Sequence, residues 1–266
     1  MKKNVFLLLC LIFSFAISIS FSEEIIPVGE TVNIDDNGIP TYQVQNGEIK
    51  TGYKILGSGR PLLILMGLGG TIEDWPKVFI DMLSEEYQVI LMDNRGMGSS
   101  TDTDKPFTYE MLSEDVISFM DVLGLEKTDI MGYSMGSIFT QYILLNYPER
   151  IDRAVLHATA YDSTKVMENL YEHSNEPLPE EGPVKKQMDI SADWKVDPEL
   201  FSSVDNDVLL IAGTDDNILD IENSVVLSNY IENSWLIKFR GTDHYLLFYY
   251  PVDFGNVIID FLNHMR

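Results

Sequence analysis

Cysteine is almost missing from this 266-residue chain: Cys10 is the only one. It lies inside the apolar run "VFLLLCLIFSFAISISF", which follows Lys2 and Lys3 and gives way to Ser22, Glu23 and Glu24, the layout of an export signal. Residues 1–22 are therefore expected to be a signal peptide removed after Ser22. An uncleaved anchor is the alternative, because about 17 mostly apolar residues reach the short end of a bilayer span. The chain beyond the leader is free of cysteine, which excludes disulfides and cysteine-based metal sites, although an exported chain meets an oxidising compartment. Positive charge is also scarce. Lys and Arg number 18 against 42 Asp and Glu, a formal charge of −24. Nucleic acid is not an expected partner, since binding it depends on neutralising phosphates. The acidic surface reads as one that keeps an exported protein soluble and monomeric. Internal repeats and low-complexity tracts are absent as well.

What is present is enough apolar chain, 45% of the residues, for a full core. Short runs rich in Ile, Val and Leu alternate with helix-period stretches, the pattern of an α/β sheet. The candidate strands are "RPLLILM" (60–66), "YQVILMD" (87–93), "TDIMG" (128–132), "RAVLHAT" (153–159), "DVLLIAG" (207–213) and "SWLIKF" (234–239). A helix is predicted after residue 134, with Met135, Ile138, Phe139, Tyr142 and Ile143 on one face and Pro148 at its end. Another starts at Pro251. Residues 23–266 thus read as one domain, with an aperiodic insertion at about 160–200.

The stretch "DIMGYSMGSIFT" (129–140) sets Ser134 between Gly132 and Gly136 at a strand-to-helix junction. Such a turn presents a serine at the carboxyl end of a sheet, where open α/β sheets bind ligands. A serine hydroxyl needs a base, and the chain has four histidines. His157 falls within a strand and reads as a core residue, while His173 and His264 read as surface residues. His244, in a loop after "SWLIKF" and before the last helix, is the candidate base. "AGTDD" offers Asp215 and Asp216 in a turn between the serine and the histidine in chain order, either suited to orient the imidazole. The glycine-rich "LMGLGGT" (65–71) comes after another strand, and the backbone N–H groups of Leu68 and Met135 are the natural pair of oxyanion donors.

With "DNRGMGSS" (93–100) added, these five motifs in this order resemble the α/β-hydrolase superfamily over nearly all of the chain after the leader. The resemblance implies an eight-stranded, mostly parallel sheet flanked by helices, with a small cap insertion. It implies a triad of Ser134, Asp216 and His244, acting through an acyl-enzyme without cofactor or metal, and a structural turn at Asp93 and Arg95. Asp216 is preferred over Asp215 by its distance from Gly213, with Asp162 in reserve, because some members carry the acid on the earlier strand. The chain departs from the family pattern at Met66, where many members have histidine, and at Ser137, where many have a third glycine.

The expected function is a secreted serine hydrolase acting on a small or medium carboxylic ester. Other chemistry of the same triad (amide or C–C bond hydrolysis, perhydrolysis) and a non-catalytic small-ligand binding protein are the alternatives. No membrane association is expected unless the leader stays in place. The insertion predicts one or two short helices over the site. Its two apolar groups, Met167, Leu170 and Tyr171, then Met188, Ile190, Trp194, Leu200 and Phe201, are expected to face a pocket also lined by Leu68, Trp75 and Met135.

Overall fold

A computed structural model describes residues 24–173 and 178–264. The expected signal peptide and the middle of the insertion lie outside them. The strands are β1 (Glu30–Ile34), β2 (Pro40–Asn46), β3 (Ile49–Leu56), β4 (Arg60–Leu65), β5 (Tyr87–Met92), β6 (Thr128–Tyr133), β7 (Ile151–His157), β8 (Asp207–Gly213) and β9 (Ser234–Phe239). The helices are α1 (Lys77–Ser84), α2 (Tyr109–Val122), α3 (Met135–Asn146), α4 (Val166–His173), α5 (Gly182–Ser191), α6 (Ile221–Tyr230), α7 (Leu246–Tyr249) and α8 (Pro251–His264). Each candidate apolar run becomes a strand within two residues of its expected place.

All nine strands form one sheet in the order β1-β2-β3-β5-β4-β6-β7-β8-β9. Pairing is parallel from β5 through β9, and antiparallel among β1, β2, β3 and β5. The count exceeds the expected eight by the edge strand β1, which is exposed at every residue and, among the described residues, pairs with β2 alone. Period-2 alternation divides the side chains between two layers. Leu62 and Ile64 of β4 pack with Phe79 of α1 and Phe254 and Ile258 of α8. Leu63 and Leu65 face the other way, with Phe119 of α2 and Phe139 of α3.

The strand order reverses at β4, which sits between β5 and β6, so the crevice expected of an open α/β sheet lies at the carboxyl ends of β4 and β6. Leu65 pairs with Gly132 there. The glycine-rich loop after β4 and the turn after β6 therefore emerge side by side.

Between β7 and β8 the insertion contributes α4, α5 and a 3-10 turn at Pro198–Ser203. Its first apolar group sends Leu170 to a cavity at the carboxyl ends of the strands, as expected, while the second does different work. Ile190, Trp194 and Phe201 are buried in the main core with α2 and α3, while Tyr171 and Leu200 are 63% and 55% exposed. The second group therefore anchors the insertion instead of lining the cavity, because its apolar side is taken up by the core beside α2 and α3.

Candidate active site

Ser134 joins β6 to α3 with φ 52° and ψ −119°, a left-handed backbone that costs a non-glycine residue on the order of 1–3 kcal/mol and persists only where its surroundings enforce it. The surroundings are tight. A Cβ on Gly132 would lie 2.3 Å from Gly136 O, and one on Gly136 would lie 2.3 Å from Leu65 O. Both positions therefore require glycine. Ser134 N–H donates to His157 O at 2.9 Å, and Ser137 N–H to Ser134 O at 2.9 Å. The Ser137 hydroxyl, where a glycine is common, also donates to Ser134 O at 2.6 Å and lies 2.8 Å from Thr159 Oγ1. The departure from glycine thus adds a brace beneath the turn.

His244 leaves the loop after β9 and reaches Ser134, with Nε2 3.0 Å from Oγ. On its other side, Nδ1 lies 2.9 Å from Asp216 Oδ2. The second carboxylate oxygen of Asp216 accepts the N–H groups of Ile218 and Leu219 at 2.9 and 3.0 Å. Burial pushes the Asp216 carboxyl up, but the charge and hydrogen bond of His244 and the two backbone donors outweigh it and leave the group below the ordinary aspartate value. The turn carrying Asp216 and the loop carrying His244 are packed together, since Asp215 N–H donates to Thr242 O at 2.8 Å and a Cβ on Gly213 would lie 2.3 Å from that oxygen.

The other candidates are not brought to His244. Asp215 is exposed and accepts from the Thr214 hydroxyl. Asp162 is ion-paired with Lys195 at 2.7 Å, which holds its carboxyl down at about 2. His157 is fully buried and close to Tyr133 and Phe254, and burial pushes its imidazole down to about 3. His173, on exposed α4, lies at the cavity's outer edge, and His264 is exposed on α8. Among the described residues, no group of three or more His, Cys, Asp or Glu side chains is arranged to hold a metal ion.

Ser134 and His244 lie on the floor of a cavity of about 530 Å³, with Leu68 and Met135 beside them and Tyr109, Ile138, Val166 and Leu170 among its walls. Neither Leu68 N–H nor Met135 N–H donates a hydrogen bond among the described residues. The first N–H groups of any helix lack intrahelical acceptors, so the start of α3 has one to offer a ligand. Met66 fills the inside of the glycine-rich loop, where a Cβ on Gly70 would lie 2.5 Å from its Cγ, and Asn94 Nδ2 holds its carbonyl at 3.0 Å.

Trp75 does not line the cavity. Only 5% exposed, it packs against Phe79 and Tyr133 in the layer beneath the sheet. The 3-10 turn at Ile72–Asp74 and Pro76 turn the chain down toward α1, so the ring points away from the serine's side of the loop.

Two residues emerge that the sequence did not single out. The Tyr133 hydroxyl donates to His244 O at 3.3 Å, so the residue before the serine also supports the histidine loop. Gln187 of α5, fully buried, accepts the N–H of Gly69 at 2.7 Å and ties the insertion to the glycine-rich loop.

A family model described as the alpha/beta hydrolase fold matches residues 60–182. Among solved structures, the chain is similar to an alpha/beta hydrolase fold protein from Chitinophaga pinensis, with a TM-score of 0.77, 22% identity, and 85% of this chain and 98% of the other covered. Among curated proteins, it is 23% identical over 261 residues to a 2-hydroxy-6-oxo-6-(2'-aminophenyl)hexa-2,4-dienoic acid hydrolase of Metapseudomonas resinovorans, covering 83% of this chain and 90% of that one. It is 30% identical over 115 residues to 3-oxoadipate enol-lactonase 2 of Acinetobacter baylyi, covering 42% and 43%. The match spans about two fifths of the length of most of the curated relatives.

Proposed function

This chain belongs to the α/β-hydrolase superfamily, and we propose that it is an exported serine hydrolase that cleaves a small or medium carboxylic ester. The observation that supports this reading is the hydrogen-bonded series Asp216, His244, Ser134 at the floor of a largely apolar cavity. Asp216 holds Nδ1 of the imidazole protonated, which leaves Nε2 as the base facing the hydroxyl. As Ser134 Oγ bonds to the ester carbonyl carbon, its proton passes to Nε2 and the carbonyl electron pair moves onto oxygen. The N–H groups of Leu68 and Met135 stabilise that oxyanion. When the carbonyl re-forms, the alcohol leaves with the proton from Nε2, and Ser134 stays acylated. Water then repeats the sequence, giving up a proton to Nε2 as it attacks and releasing the acid and free Ser134.

The shape of the cavity favours this chemistry on small substrates, since apolar clefts with few polar anchors bind by contact area. C–C bond or lactone hydrolysis by the same three residues is the second reading, favoured by the names of the Metapseudomonas and Acinetobacter relatives. A fluorophosphonate tests the nucleophile. It should label the wild type and fail to label a folded Ser134→Ala, whose turnover of a p-nitrophenyl ester should fall by about 10⁶, as in a well-studied serine protease. Unlabelled wild-type protein that still fills its cavity with small apolar ligands would instead mark a binding protein.

A further inference from the structure

Charge is distributed unevenly around the cavity that holds Ser134. Among the described residues no Lys or Arg lines it, and the sequence between residues 173 and 178 adds none. Of the cations on neighbouring elements, Lys54 is paired with Asp35 and Glu73, Lys186 with Asp102 and Lys195 with Asp162, while Lys165, next to Val166, lines the adjoining cleft and not this cavity. Two carboxylates do line it. Asp74, exposed after the glycine-rich loop, accepts from the N–H and hydroxyl of Thr71 at 2.7 and 2.9 Å. Asp243, half-buried beside His244, accepts from Tyr245 N–H at 2.9 Å. Neither has a cationic partner among the described residues. Aromatic rings flank Asp243 at the mouth, where Tyr245 and Tyr249 are 46% and 60% exposed.

A substrate carboxylate entering here would meet two like charges and no counter-charge, in a cleft whose low-dielectric walls concentrate the field. A second carboxylate would also lose part of its hydration with no Lys or Arg on the walls to replace it. A cationic group would meet the opposite: two carboxylates beside tyrosine rings, whose faces attract cations within about 6 Å.

Resting on the reading of the chain as a hydrolase, we propose that the cavity selects on charge: it accepts esters whose remaining groups are neutral or cationic and rejects those carrying a second carboxylate, with Asp74 and Asp243 as the specificity-determining side chains. The chain is thereby separated from a relative named for an acid substrate.

The test uses three phenyl esters of one short acid, matched in size and bearing on the ring a neutral, a quaternary ammonium or a carboxylate group. At low salt, kcat/KM for the carboxylate ester should be at least about tenfold below the neutral one, as focused fields change encounter rates by 10-fold or more. The gap should shrink in 1 M salt, where the screening length falls to about 3 Å. In the double variant Asp74→Asn and Asp243→Asn, which keeps both hydrogen-bond acceptors, the anionic-to-neutral ratio should rise toward one. A carboxylate ester turned over as well as the neutral one at low salt, or a ratio unmoved by the double variant, overturns the proposal. Binding of the three matching non-hydrolysable ketones to Ser134→Ala decides the charge question apart from turnover. The same ranking there, without turnover of any ester by the wild type, sinks the hydrolase reading and leaves the charge selection standing. Equal binding of all three sinks the charge selection.

Discussion

Asp216 meets His244 through a single oxygen: Oδ2 lies 2.9 Å from Nδ1, while Oδ1 is occupied by the N–H groups of Ile218 and Leu219. This division fixes what an isosteric amide would do. In Asp216→Asn the carbonyl oxygen stays with the two backbone donors, and the NH₂ turns toward Nδ1. The imidazole must then carry its proton on Nε2, facing the serine hydroxyl it should deprotonate. Turnover should fall by about 10⁴, the loss seen when a protease triad acid is changed this way. Asp215→Asn and Asp162→Asn should remain near wild type in the same ester assay, since neither side chain reaches the histidine.

Gly136 is held against Leu65 O so closely that Gly136→Ala forces β4 and α3 apart. The variant should lose about 2 kcal/mol or more of stability, at or above the upper part of the range for overpacking, because the obstacle is backbone that cannot rotate away. Urea denaturation measures the loss. Fluorophosphonate labelling of whatever folds should drop as well, because the same displacement moves the N–H of Met135.

His157 should cost the fold stability as pH falls below about 6.5. Burial pushes its imidazole down from the ordinary value to about 3. Between those values the unfolded chain takes up a proton that the folded chain refuses, so stability present above about 6.5 is lost progressively toward 3, at up to about 1.4 kcal/mol per pH unit. His157→Phe keeps an aromatic ring between Tyr133 and Phe254 and removes the titrating group. The difference in unfolding free energy between variant and wild type should move in favour of the variant as pH is lowered from 7 to 5. A pH-independent difference would remove His157 from the explanation.

The cavity's size and its short helical roof make a prediction about acyl length. kcat/KM across p-nitrophenyl esters should peak at short chains and show no jump as the substrate passes its solubility limit. Interfacial activation, or a peak at long-chain triglycerides, would mean that the insertion opens on lipid surfaces.

The parallel half of the sheet was legible because each of its strands is a short run rich in Ile, Val and Leu, largely buried in all but the edge strand β9. The antiparallel half was not read, although Asn37-Gly38 and Asn46-Gly47 are turn signals with apolar residues around them. β1 in particular buries nothing, so no apolar pattern marks it. At the site, Ser134, Asp216 and His244 were legible because each sits just after a strand, where a sheet of this order must place it. Trp75 was misplaced because its loop could be located from the sequence but the side of the sheet to which its ring turns could not. Tyr133 and Gln187 act on partners 111 and 118 residues away along the chain. No local pattern encodes contacts of that kind.

Ile190, Trp194 and Phe201 sink into the same core as α2 and α3, so the later half of the insertion is welded to the body. The earlier half rests elsewhere: Val166 of α4, with Met167 and Leu170 beside it, packs on Ile218 and Leu219, and Asn169 Nδ2 is tied to Ile218 O at 2.8 Å. Ile218 and Leu219 are also the residues whose N–H groups hold Oδ1 of Asp216. One short turn thus seats the cavity wall with its side chains and the acid with its backbone, so the two share a footing.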